Sequence, residues 1–199
     1  MLSACATTEV LNVWQEKGTE DLKFANVLVI GVIKEPGYRS LFEDSMVEQL
    51  NKLGTKASAS YKLFPNVDYL DKSIISAKIK DLNMDGVIVV RLIDQKKETV
   101  HTPGSTSVSG SYYRGYPYAT TYNRSNTWYG YYDNSYRMAY SPGYSVEYDV
   151  TTAEANVYDA KKEALVWSAM TETAETSVSK AITSYVKEVN KKLAASNLF

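Results

Sequence analysis

The run Val27-Leu28-Val29-Ile30-Gly31-Val32-Ile33 decides the fold. It is rich in β-branched residues, has no polar position and is too short for a buried helix. It therefore predicts a strand covered on both faces, as the inner strands of a parallel sheet are. Pro36 and Gly37 close it. Beyond them Tyr38, Leu41, Phe42, Met46, Gln49, Leu50 and Leu53 recur three and four apart as far as Gly54. That is an amphipathic helix with Pro near its start and Gly as its stop. Thr55 to Tyr61 alternates weakly through Ala57, Ala59 and Tyr61 and reads as a modest edge strand. Leu70, Ile74, Ile75, Ile79 and Leu82 mark a second, shorter helix, ended by Asp85-Gly86. Val87-Ile88-Val89-Val90-Arg91-Leu92-Ile93 repeats the buried-strand signature. The order β-α-β-α-β implies parallel pairing through right-handed crossovers.

Farther along, Val146, Tyr148 and Val150 alternate on one face, after which the phase slips to Ala153, Ala155 and Val157. A strand that must keep one face buried accommodates such a slip with a bulge, expected at Thr151-Thr152. A polar turn from Asp159 to Glu163 leads to a strand, Leu165 to Thr171, that carries Trp167. Val178, Ala181, Ile182, Tyr185, Val186, Val189 and Leu193 then form the apolar stripe of a closing helix. The expected fold is α/β, a mixed sheet of about five strands in two or three layers, in the order β-α-β-α-β-β-β-α. One domain comprises 25–98 and 145–195, interrupted by a long insert at 99–144 and preceded by a polar tether at 1–24.

Composition narrows the function. Of 199 residues 44 % are hydrophobic, enough to bury a core, and a net charge of −1 argues against a nucleic-acid partner, which needs a surplus of cations. One His and one Cys exclude a His/Cys metal site and an internal disulfide within one chain. No cofactor and no metal are expected. The unusual figure is 17 Tyr beside 4 Phe.

Most of those rings lie in the insert. The segment 99–144 has no Leu, Ile or Lys, and its aliphatic β-branched residues are Val100 and Val108. Such a segment cannot supply an aliphatic core, and a connection this long is functional or disordered. Tyr offers large area at low rotamer cost with a hydroxyl handle, which suits a binding surface. Tyr112, Tyr113, Tyr116, Tyr118, Tyr122, Trp128, Tyr129, Tyr131, Tyr132, Tyr136 and Tyr140 are the candidate partner-binding residues. Two other readings stand beside this one: a long hairpin with Tyr–Tyr cross-strand pairs, and rings stacked on a glycan such as peptidoglycan. The segment 112–140 lacks the apolar alternation of a membrane-inserted hairpin. Arg114, Arg124 and Arg137 against Asp133 leave the insert slightly positive.

Catalytic patterns are weak. His101 is a lone imidazole beside Pro103-Gly104, and no nucleophile–base set can be assembled around it. Gly31 to Gly37 follows a strand and precedes a helix but lacks the glycine spacing of a dinucleotide loop. Ser177-Val178-Ser179-Lys180 matches S-x-x-K without the S-D-N and K-T-G partners. The carboxylate pairs Glu43-Asp44 and Glu147/Asp149 read as solvated faces of a helix and a strand. No enzymatic activity is expected.

The start, Leu2-Ser3-Ala4-Cys5, resembles the lipobox of bacterial lipoproteins, with Cys5 as the acylated residue. The positively charged and apolar parts of a signal peptide are not present before it. Multiple acyl chains would hold the domain at a membrane without a spanning helix. Ala6 rather than Asp after Cys5 favours outer-membrane sorting. This start, the element order and the run Tyr158-Asp159-Ala160-Lys161-Lys162-Glu163-Ala164-Leu165-Val166-Trp167-Ser168, continued through Ala169 and Thr171-Glu172-Thr173, resemble small periplasmic lipoproteins of Gram-negative bacteria. The domain is similar to the amino-terminal domain of the Tol-Pal translocation protein, to lipoprotein activators of peptidoglycan synthases and to the curli secretion-channel lipoprotein. The resemblance implies an adaptor or assembly role without catalysis, at the periplasmic side of the outer membrane. Its expected partners are an envelope protein, further copies of the chain, the membrane through the lipid, and peptidoglycan. A ring or pore subunit and a peptidoglycan-binding module are the alternatives.

Overall fold

The computed structural model describes residues 7–19, 21–65, 71–102 and 144–199. Its chain divides into two compact units, Met1–Glu98 with Tyr148–Phe199, and Thr99–Glu147. The described elements run β1 (Thr7–Gln15), β2 (Asn26–Val32), α1 (Pro36–Lys52), β3 (Lys56–Ala59), α2 (Ser60–Leu63), α3 (Lys72–Asp81), β4 (Gly86–Thr102), β5 (Tyr144–Asp159), β6 (Ala164–Glu175) and α4 (Val178–Ala195). The strands form one mixed sheet in the order β1-β6-β5-β4-β2-β3. The expected α/β class holds, with six strands where about five were read.

The first half follows the sequence closely. β2 pairs in parallel with β3 on one side and with β4 on the other. Val27, Leu28 and Val29 have no solvent exposure, as a strand without a polar position requires. Pro36 opens α1, and Gly54 closes it with φ +93°, a conformation that costs a residue without Cβ little. β3 is the edge strand expected at 55–61, cut short by the single turn of α2.

Two cores flank the sheet. On one face Phe42, Met46 and Leu50 of α1 meet Tyr185, Val186, Val189 and Leu193 of α4 over Val29, Ile88, Ala155 and Trp167. On the other face Leu28, Phe64 and Met84 gather Leu63, Ile75 and Ile79 of the shorter helices. Core packing continues past residue 195: Leu198 is fully buried, and the Phe24 and Phe199 rings lie 5.7 Å apart.

Four expectations are corrected. The polar tether contains a strand: β1 pairs antiparallel with β6, from Thr7 opposite Ala174 to Gln15 opposite Trp167, with a register shift between Val10 and Asn12. That shift and the exposure of an edge strand erase the alternation by which a strand is read. Thr8 Oγ1 holds β1 in place, donating to Ser184 Oγ at 2.8 Å and lying 2.9 Å from Thr173 Oγ1.

The bulge lies elsewhere. Thr151, Thr152 and Ala153 face Thr173, Glu172 and Thr171 without interruption, and the shift falls between Val157 and Tyr158. Trp167 pairs with Val157 and Leu165 with Tyr158, so Val166 is the extra residue and both Val166 and Trp167 are buried. With no slip at 151–152, the face that carries Ala153, Ala155 and Val157 continues to Thr151 and Asp149. Asp149 therefore belongs to the helix-covered face rather than the outer one.

Glu43, read as a solvated carboxylate, has no solvent exposure. Its Oε1 accepts from the Gly31 amide at 2.9 Å, Ser60 Oγ at 2.8 Å and Arg39 Nε at 3.1 Å, and its Oε2 from the Tyr61 amide at 2.8 Å. Four donors replace the lost hydration, which is the condition for burying a charge.

Candidate functional site

The first turns of α1 and α4 stand beside the carboxyl end of β2 and beside Val90, Arg91 and Leu92 in the first half of β4. Between them runs a cleft of about 270 Å³. Tyr38 and Phe42 from α1 and Ile182 and Tyr185 from α4 make its walls. The Phe42 and Tyr185 rings meet edge to face at 6.0 Å. Small side chains leave the space open: Ala153 on β5 and Ala181 on α4 line it where larger residues would fill it.

Gly31 lets α1 approach the sheet. A Cβ there would lie 2.7 Å from Cδ1 of Phe42, so Phe42 could not keep its place in the cleft wall. Its amide is taken by Glu43. The Gly31–Gly37 turn therefore has no phosphate-cradling amide at that position, in line with the absence of a dinucleotide motif.

Asp149 and Glu175 form the last register pair of the β5–β6 ladder, and both line the cleft. Glu175 is 8 % exposed. Burial alone would raise its pKa, but the Thr176 amide and hydroxyl, the Ser177 amide and the charge of Lys180 outweigh it and lower the value. Glu175 is thus held as a carboxylate. Arg91 also touches the cleft, but its guanidinium is engaged with Glu154 at 2.9 Å. Tyr185 is 6 % exposed, and its hydroxyl has no hydrogen-bond partner among the described residues. Burial, and secondarily the negative charge of Glu154, push its pKa well above the ordinary 10.

The residues singled out from the sequence fall elsewhere. Cys5 and the candidate rings Tyr112, Tyr113, Tyr116, Tyr118, Tyr122, Trp128, Tyr129, Tyr131, Tyr132, Tyr136 and Tyr140 lie outside the described residues. His101 falls in β4. Ser177 is the N-cap residue of α4, and Lys180 is exposed. Among the described residues no three His, Cys, Asp or Glu side chains converge as a metal site, and no helix is long and apolar enough to cross a membrane. The cleft was not read from the sequence. Its one legible sign was the odd-numbered phase of Ala153, Ala155 and Val157, which carries Asp149 to the same face.

These residues define a mixed α/β domain with an apolar, aromatic-walled cleft ending in two carboxylates. No family model matches the chain, and no curated protein matches it. Solved structures to which it is similar include the PelC dodecamer from Paraburkholderia phytofirmans, at 13 % identity, a TM-score of 0.47 and 97 % coverage of both chains. Lipoprotein GNA1162 from Neisseria meningitidis is similar at 11 % identity and a TM-score of 0.40, over 86 % of this chain and 99 % of that one.

Proposed function

We propose that the protein is a non-enzymatic lipoprotein, anchored through Cys5 in the outer membrane and facing the periplasm. There it serves as an adaptor or assembly factor that offers the tyrosine-rich segment 99–144 to an envelope protein. The supporting observation is the length of the two strands that flank that segment. β2 ends at Val32, opposite Arg91, and β6 ends at Glu175, opposite Asp149. β4 nevertheless runs on to Thr102, and β5 begins at Tyr144. The two strands that lead into and out of the segment outlast their outer neighbours. Leu92 and Ile93, in the first stretch beyond β2, are 51 % and 44 % exposed.

Metabolic labelling with an alkyne fatty acid tests the anchor: label in the outer-membrane fraction, lost in Cys5→Ala, is expected. Photo-crosslinking from Tyr118 or Tyr131 in intact cells tests the adaptor role. A discrete adduct to one envelope protein supports it, and its absence at both positions contradicts it.

A second reading, a ring or pore subunit built from copies of this chain, is favoured by β1. That strand is the sheet edge, and its Leu11, Val13 and Trp14 are 48 %, 41 % and 42 % exposed. Exposed apolar edge strands are association surfaces. Sedimentation of the acyl-free protein separates the readings: a discrete large species supports the ring, and a monomer at micromolar concentrations opposes it.

A further inference from the structure

We infer that the cleft between α1 and α4 is a binding site for a small organic cation, an ammonium group on an apolar body. Three independent features of the cleft converge on that chemistry. Its volume of about 270 Å³ accommodates a single ring with a short substituent. Its walls include three aromatic rings, Tyr38, Phe42 and Tyr185, and aromatic faces attract cations more strongly where water is excluded. Its floor ends in Asp149 and Glu175, directly opposite each other on neighbouring strands.

That last arrangement concentrates negative charge at one end of the cleft. Neither carboxylate forms an ion pair among the described residues. Glu175 is satisfied through Thr176, whose amide and hydroxyl lie 2.8 and 3.0 Å from its Oε1. Lys180 on α4 acts on Glu175 by charge alone, and Arg91 is committed to Glu154. A cation seated against the rings would meet both carboxylates while its apolar body fills the space that Ala153 and Ala181 leave open. An anion would meet two carboxylates, and a neutral molecule would offer them no counter-charge.

Three probes of one shape test this by calorimetric titration into the intact protein: 2-phenylethylammonium, 2-phenylethanol and phenylacetate. The ammonium should bind saturably and at least about tenfold more tightly than the alcohol, the factor expected of one charge-assisted contact, with phenylacetate weakest. The double variant Asp149→Asn, Glu175→Gln should reduce ammonium binding to the level of the alcohol and leave the alcohol unchanged. Glu175→Gln keeps an oxygen to accept from Thr176 but gives up the charge, so the thermal transition of the variant is measured to show that it remains folded. Ala181→Leu, which fills the cleft, should weaken both the ammonium and the alcohol. Equal affinities for ammonium and alcohol, no binding of the ammonium, or ammonium binding indifferent to the double variant would each overturn the inference.

Discussion

Oε1 of Glu43 stands 2.9 Å from the amide nitrogen of Gly31, with no solvent access to the carboxylate. This contact ties the first helix to the first inner strand. Through Ser60 and the Tyr61 amide the same carboxylate also holds the start of α2. Arg39 supplies the compensating charge at 3.1 Å.

Replacing Glu43 with Ala leaves Arg39, Ser60 and two amides without their shared acceptor. Breaking a buried, hydrogen-bonded charge pair costs about 3–5 kcal/mol, and the partial exposure of Arg39 places this case near the lower end. A urea midpoint reduced accordingly is expected. A change below about 0.5 kcal/mol, the range of ordinary surface substitutions, would show that the cluster is not structural.

Gly31→Ala tests the close approach of α1. Because the added methyl would meet the Phe42 ring at 2.7 Å, the helix or the ring has to move. Overpacking of this kind costs about 1–3 kcal/mol. The near-ultraviolet signal of the Phe42–Tyr185 pair should change with it.

Tyr185→Phe should behave in the opposite way. Removing a buried hydroxyl that lacks a partner is neutral or stabilising, by up to about 1 kcal/mol. A clear loss of stability in thermal unfolding would reveal a hydrogen bond to a residue outside those described.

Acid should weaken the domain through three carboxylates. At Asp44 burial alone would raise the pKa, but hydrogen bonds from Lys62 and Tyr61 and the charge of Lys62 bring it below 3.8. The Ser73 hydroxyl and amide lower Asp71 below 3.8, and the groups around Glu175 lower it below 4.5. Groups depressed by folding contribute stability that is complete above their unfolded values and disappears as pH falls through their folded ones. Urea midpoints should therefore be steady on this account above about pH 5 and decline below about pH 4. Asp44→Asn should flatten part of that decline.

Deletion of Thr102 to Pro142 tests the independence of the domain. Described residues alone already join α1, α4 and the shorter helices to the two faces of the sheet. The shortened protein is expected to keep its thermal transition, and a large drop would place the rings of the segment within the domain's own packing.

How far the sequence could be read depended on how many faces each element buries. Val27 to Val32 was legible because a strand covered on both sides needs no phase to recognise it. α4 was legible because one stripe, from Tyr185 to Leu193, must be apolar. β1 was not, since an edge strand with Leu11, Val13 and Trp14 partly in water, and a register shift at Val10/Asn12, has no dependable period. The phase of β5 was misread for a related reason: Val150 is buried on the face opposite Ala153 and Ala155, so an unbroken strand looked like a slipped one.

The sequence by itself determined the parallel β-α-β-α-β half, the closing helix and the aliphatic-poor, tyrosine-rich composition of the segment 99–144. These follow from local apolar spacing and composition, which act over a few residues. Only the tertiary structure decided that Glu43 is buried, that Asp149 faces Glu175, and that two helix starts leave a cleft between them. Each of those depends on groups brought together from distant parts of the chain. A carboxylate's surroundings, unlike a strand's periodicity, leave no trace in its immediate neighbours.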